Sequence, residues 1–185
     1  MSMVLFAERT TMTQEEFLIQ HLTEDKSYKS ILSENPSLEL HMLQEWWATG
    51  TDLRDKIKKS NALFSSRKGK PAFAAFEQAG KRPFFEWFRK QPRICAYCGI
   101  EEHKLEELFA AGVLSTKRGR GKSLELERKD SKSNLYTEGN CVLACYFCNN
   151  HKSDIISEED HRQYFAPHIR KFLEDKYSHF KGHGN

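Results

Sequence analysis

Two Cys-x-x-Cys pairs, Cys95/Cys98 and Cys145/Cys148, have the spacing that carries the plainest chemistry in this chain. Five cysteines close no set of disulfides, and Cys141 is left over. In a chain of intracellular character, two such pairs argue for one tetrahedral zinc held by four thiolates. Cys95-Ala-Tyr-Cys98-Gly99 reads as a zinc knuckle whose turn Gly99 relaxes. Cys141 is then expected to be a buried free thiol. A second chemistry lies upstream of the later pair. Lys117, Arg118, Arg120 and Lys122 put four cations within six residues on a glycine-containing loop. Phosphate contact is the natural use of such a loop, and an ordinary basic loop is the alternative.

The elements that must position these groups lie between Ser123 and Lys152. Leu124 and Leu126 alternate with Glu125 and Glu127, the period of a half-buried strand. Ser131 to Asn134 supply loop chemistry, and the apolar run Cys141 to Ala144 can pair back as a hairpin. Asn149 to Asp154 can open a helix. Such a unit has little core of its own, and a zinc site would hold it together.

These residues resemble the HNH, or ββα-metal, nucleases. That family's pattern is a strand ending in Asp-His, a central Asn, and Cys-x-x-Cys-Asn-x-x-Lys on a helix. Here Glu127-Arg128 stands for Asp-His, Asn140 is the central Asn, and Cys145-x-x-Cys148-Asn149-x-x-Lys152 matches outright. The resemblance runs from about Ile94 to Ile156. It implies that Glu127 and Asn149, both oxygen donors, share a catalytic Mg²⁺ or Mn²⁺. The usual general base is replaced by Arg128, which stays protonated and can only clamp phosphate or meet developing charge. The run Arg128-Lys-Asp130 with Tyr136 and Asn140 resembles a branch in which a tyrosine takes the histidine's role, so Tyr136 is the implied base. Packing of the loop is the competing role for Tyr136. Asp130 would orient a neighbour or hold Arg128, and Asn140 would brace the loop. His151 ranks below Tyr136 as a base, because positions two apart on a helix face different sides.

The remaining chain reads as α+β and mostly helical: a helical region over 1–92, the nuclease unit over 93–158, and C-terminal helices and tail over 159–185. Helices are expected over about 14–22, from Pro36-Ser37 to Gly50, from Thr51, from Lys70-Pro71 to Gly80, over 84–90 and over 101–111. Two more are expected, one from Ser157 to about Phe165 and one from Pro167 to about Phe180, with a disordered tail from Lys181. The net charge of +3 hides an asymmetry. Met1–Leu53 holds nine acidic and three basic residues, whereas Arg54–Arg93 holds twelve basic and three acidic. The basic stretch, with its interleaved Phe73, Phe76, Phe84, Phe85, Trp87 and Phe88, suggests a polyanion partner. Those rings are nonetheless expected in the core more than on bases. No apolar run reaches membrane-spanning length and no secretory h-region is present, so the expectation is a cytoplasmic protein.

Together these readings favour a metal-dependent endonuclease on double-stranded DNA, of the kind that defence or toxin systems use. The alternatives are an inactive zinc-ribbon module that binds nucleic acid, or a nuclease subunit docking a partner protein through its acidic N-terminal segment.

Overall fold

The computed structural model describes residues 12–182. Helix α1 (Gln14–Thr23) starts where the sequence says it should, with the Thr13 hydroxyl accepting from the Glu16 amide at 3.1 Å. A short α2 (Tyr28–Glu34) follows, capped by Ser27. No sequence expectation covered it: its seven residues carry one short apolar stripe, Tyr28, Ile31 and Leu32, of which only Ile31 is fully buried. Helix α3 (Leu40–Thr49) begins later than Pro36-Ser37, after a turn closed by the Leu38 amide on the Asn35 carbonyl. At Gly50, between α3 and α4 (Thr51–Ser65), an added Cβ would stand 2.5 Å from Leu18 Cδ1 and 2.9 Å from the Trp46 carbonyl. Only glycine lets α1 approach that junction.

Next come one 3₁₀ turn (Pro71–Phe73), α5 (Ala74–Ala79) and α6 (Lys81–Lys90), with Gly80 at φ +96° between the two helices. Phe73, Phe76, Phe84, Phe85, Trp87 and Phe88 are all buried. Phe76 and Phe84 meet edge to face at 4.9 Å, and Phe64 and Phe73 at 5.3 Å. These rings form the core and are not available to bases.

The charge asymmetry folds onto itself. Arg82 binds Glu16 and Glu24 at 2.8 and 2.6 Å, Lys81 binds Asp25 at 2.9 Å, and Arg89 binds Glu15 at 2.7 Å. Three of the twelve cations of the basic stretch thus neutralise Glu15, Glu16, Glu24 and Asp25 of the acidic segment. These pairs take Lys81, Arg82 and Arg89 away from phosphate and reduce the free negative charge of the acidic segment.

The second half hangs on a two-stranded antiparallel sheet, β1 (Glu125–Arg128) with β2 (Cys141–Ala144), in the register Glu125↔Ala144 to Arg128↔Cys141. The Cys95–Cys98 knuckle docks on it through the Ala96 amide, 2.8 Å from the Leu143 carbonyl. Helix α7 (Glu102–Ala110) opens with a buried carboxylate, and Glu102 accepts from the Leu124 amide at 3.0 Å and pairs with Arg93. That one side chain joins the knuckle to the start of β1.

Helix α8 (Tyr146–Lys152) begins directly after Cys145, three residues before the expected opening at Asn149, because the Cys145 sulfur itself caps it. It ends at Ser153, where φ is +54°. The chain then forms α9 (Glu158–Asp160), a π turn (His161–Phe165) and α10 (Ala166–Gly182). The expected break at Pro167 is therefore a π turn instead. Pro167 has no N–H to donate, and the wider turn lies on the carbonyls it would have served. Lys181 and Gly182, expected in a disordered tail, are helical, and Lys181 binds Glu107 at 2.5 Å. The rest of that tail lies outside the described residues. Among the described residues no helix is long and apolar enough to cross a membrane.

His161 is fully buried in the π turn against Tyr97, with neither ring nitrogen hydrogen-bonded. Burial, aided by nearby His151, pushes its pKa down to about 4. A folded pKa below the unfolded one costs stability as pH falls from the unfolded value toward the folded one. Urea midpoints should therefore drop between about pH 6.5 and about pH 4, and His161→Phe should flatten that drop. An equally steep drop in the variant would assign it to other groups.

Candidate functional site

The sulfurs of Cys95, Cys98, Cys145 and Cys148 lie within 4.8 Å of one another, all buried. A tetrahedral zinc with bonds of about 2.3 Å needs sulfurs about 3.8 Å apart. Cys98 and Cys145 are 3.8 Å apart. The donor set is the one structural zinc prefers, so the cluster fits that metal. Crowding four thiols also separates their acidities. Hydrogen bonds with Cys145, Cys148 and Cys98 pull Cys95 far below the usual thiol range, whereas those with Cys145, Cys95 and Cys98 push Cys148 far above it. Cys141 stands outside the cluster as a buried thiol pushed up to about 12 by burial.

The face of β1 that looks at α8 carries Glu125 and Glu127, and the facing positions of α8 are Asn149 and Lys152. Lys152 is the constraint here. Its ammonium is fully buried and reaches Glu127 Oε1 at 3.2 Å, the Arg128 carbonyl at 3.0 Å and Ser131 Oγ at 2.9 Å. Three donors meet three acceptors, which is what burial of an ammonium requires. Glu127 is 5 % exposed. Burial raises its pKa and Lys152 opposes that rise. The strand's polar face is thus turned inward at Glu127, where alternation alone suggested a solvent-facing residue.

Asn149 donates its amide to Glu125 at 2.7 Å, and Glu125 also takes a two-point contact from Arg120 at 3.0 and 2.6 Å. So Glu127 and Asn149 share the β1–α8 junction, each with its own partner. Their oxygens are the hard donors that suit Mg²⁺ or Mn²⁺. Glu125 and Lys152 had been given no role from sequence. The signal for Glu125 was present, since it shares a strand face with Glu127.

Tyr136 sits on the loop between the strands and is half-buried. Its ring lies between two guanidiniums, Arg67 and Arg128, each 5.0 Å from the ring centroid, and it meets Phe73 edge to face at 6.0 Å. Its backbone amide donates to the Ala72 carbonyl at 2.8 Å. Arg67 also donates to the Leu126 carbonyl at 2.8 Å. Nothing local in the sequence marks Arg67, because it arrives from the end of α4. Arg128 further donates to the Asn134 side chain.

Asn140 braces the loop, as expected. Its amide nitrogen serves the Asp130 and Leu135 carbonyls at 3.0 and 2.8 Å, and its oxygen accepts from the Asp130 amide at 2.8 Å. The Asp130 carboxylate caps its own loop through the Lys132 amide, so it does not hold Arg128. His151 lies on another side of α8, 4.5 Å from the Phe165 ring and 5.5 Å from the His161 ring. Of the basic loop, Arg120 is committed to Glu125. Lys117, Arg118 and Lys122 are exposed and have no acidic partner among the described residues.

No family model matches the chain. No curated protein matches either. Among solved structures, the rare-cutting HNH restriction endonuclease PacI is similar, with 29% identity and a TM-score of 0.40. The match covers 55% of this chain and 66% of that one, just under two thirds of its length.

Purified protein should carry one zinc per chain by elemental analysis, and Cys148→Ser should lose it while Cys141→Ala keeps it. Zinc retained in full by Cys148→Ser would remove that residue from the ligand set. Lys152→Met should cost about 3–5 kcal/mol in urea unfolding, because it strands Glu127 as a buried unpaired carboxylate. A smaller loss would mean that water reaches Glu127.

Proposed function

We propose that the chain is a metal-dependent endonuclease of the HNH kind that hydrolyses phosphodiester bonds in DNA. The carrying observation is that Glu127 and Asn149 lie on the two facing elements of one β1–α8 junction, bonded to Lys152 and Glu125 respectively, while the Arg128 guanidinium next to Glu127 lies over the Tyr136 ring. Glu127 and Asn149 would hold the divalent ion, Mg²⁺ or Mn²⁺. A bound ion there would supply neutralisation of charge on the scissile phosphate and the leaving oxygen.

The chain's own residues do the rest. As its phenolate, Tyr136 Oη takes a proton from the attacking water, the hydroxide adds to phosphorus as the leaving oxygen departs, and the Arg67–Arg128 pair favours the anion and fixes the ring. Arg128 adds a permanent positive charge beside the phosphate. Lys152, Ser131 and Asn140 hold the strand end and loop rigid, which keeps these groups in position. Lys117, Arg118 and Lys122 hold flanking phosphates.

A second reading has one observation in its favour. Lys152 engages Glu127, and Glu125 engages the Asn149 amide, which suits a zinc-stapled nucleic-acid-binding module without cleavage. Plasmid nicking with Mg²⁺ or Mn²⁺ separates the two. Tyr136→Phe should lower nicking by roughly 10²–10⁴-fold while leaving zinc content and DNA binding intact. Glu127→Ala should be inactive, whereas His151→Ala should retain most activity. A dead His151→Ala beside an active Tyr136→Phe would reverse the assignment of the base. A native protein with full zinc that binds DNA and leaves plasmid intact would favour the second reading.

A further inference from the structure

Beside α8 lies a cavity of about 480 Å³, lined by Lys117, Arg118 and Arg120 from the basic loop and by Tyr146, Phe147 and Asn150 from the helix. We propose that this cavity is a subsite for one unpaired nucleotide of the substrate strand, its base against Tyr146 and Phe147 and its phosphates on Lys117 and Arg118. The proposal rests on the nucleic-acid substrate argued above and narrows it to a strand with an exposed base.

The chemistry of the walls is specific. Tyr146 and Phe147 stand edge to face at 5.8 Å, half-buried, so both offer aromatic surface to the cavity. The Arg120 guanidinium lies over the Tyr146 ring, 5.2 Å from its centroid, and its two-point contact with Glu125 holds it there. Asn150 donates its amide to the Tyr146 carbonyl at 2.7 Å, which fixes its orientation and leaves its oxygen as an acceptor for a base N–H. Lys117 and Arg118 carry charge that no described acidic residue neutralises.

A volume of that size takes a mononucleotide. Within a duplex each base face is covered by its neighbours, so aromatic walls are of use only to a base that has left the stack. The cavity is also connected to the junction described above, since Glu125 accepts from both Arg120 and Asn149. A nucleotide seated on Arg120 would lie one side chain from a candidate metal ligand.

The test uses the full chain with its zinc and no added divalent ion, so that binding is read without cleavage. The probes are a fluorescein-labelled single-stranded dT12 and a duplex of equal length, followed by anisotropy. Tyr146→Ala should weaken dT12 binding by about 5- to 150-fold, the range for one lost base stack. Tyr146→Phe should bind dT12 as the native chain does, and the duplex should respond less to Tyr146→Ala than dT12 does. If Tyr146→Ala loses zinc or fails to fold, the exposed pair Lys117→Ser/Arg118→Ser carries the test. Two lost phosphate contacts on a single strand should reduce the slope of log affinity against log salt by about 1.4.

Native affinity for dT12 in folded Tyr146→Ala, or an unchanged salt slope in the double variant, overturns the subsite. Binding of dT12 through Tyr146 by a native chain that leaves plasmid uncut keeps the subsite and removes the nuclease. Plasmid cut normally alongside dT12 affinity indifferent to Tyr146 does the reverse.

Discussion

An ammonium group inside a protein is tolerable only when each of its protons has an acceptor, and Lys152 sets that condition for the whole second half of the chain. Its three acceptors come from the end of β1, from the strand's backbone and from the loop that follows. The strand end, the loop and α8 therefore form one arrangement and cannot shift independently. The Cys95/Cys98/Cys145/Cys148 cluster fixes the other end of the same helix, since Cys145 caps α8 and Cys148 lies one turn inside it. A helix of seven residues would be marginal alone. Held at both ends, it is a rigid rail opposite Glu125 and Glu127.

The first half of the chain solves a different problem. Its interior is built from phenylalanines meeting edge to face, and α1 and α6 are tied by ion pairs at the surface. Composition by segment overstated the free charge, because some opposite charges far apart in sequence are neighbours where α1 packs beside α6. Net charge along a chain is informative about partners only after internal pairing is subtracted. What is left over includes the exposed Lys58, Lys68, Lys70 and Lys90 of that stretch as well as Lys117, Arg118 and Lys122 of the later loop.

Residues fixed by local spacing were legible. The two Cys-x-x-Cys pairs predict their own meeting, the alternation Leu124/Leu126 predicts β1, and Asn140 could be assigned to the loop it braces. The aromatic residues at helical spacing were correctly weighted toward the core. What could not be read were contacts made across long separations. Arg67 reaches Tyr136 and Leu126 from the far end of α4, and Glu102 reaches the start of β1 from α7. Neither has a local pattern, because the need for each is set by the partner and not by its own neighbours. Helix ends failed for a related reason. The Cys145 sulfur as a cap and the π turn before Pro167 depend on tertiary contacts that periodicity does not contain.

The amide of Tyr136 bonded to the carbonyl of Ala72 has a consequence for how this protein could be cut and recombined. A hairpin-and-helix unit with its own cysteine cluster looks portable, the sort of cassette that could be moved between unrelated chains. Here the loop borrows a backbone partner and one of its two guanidiniums from the helical half. Excised at the knuckle, the cassette would keep its cysteines and Lys152 but lose the wall that holds Tyr136. The helical half is therefore a permanent part of the loop's mould, and any transplant must carry α4 and the turn after it.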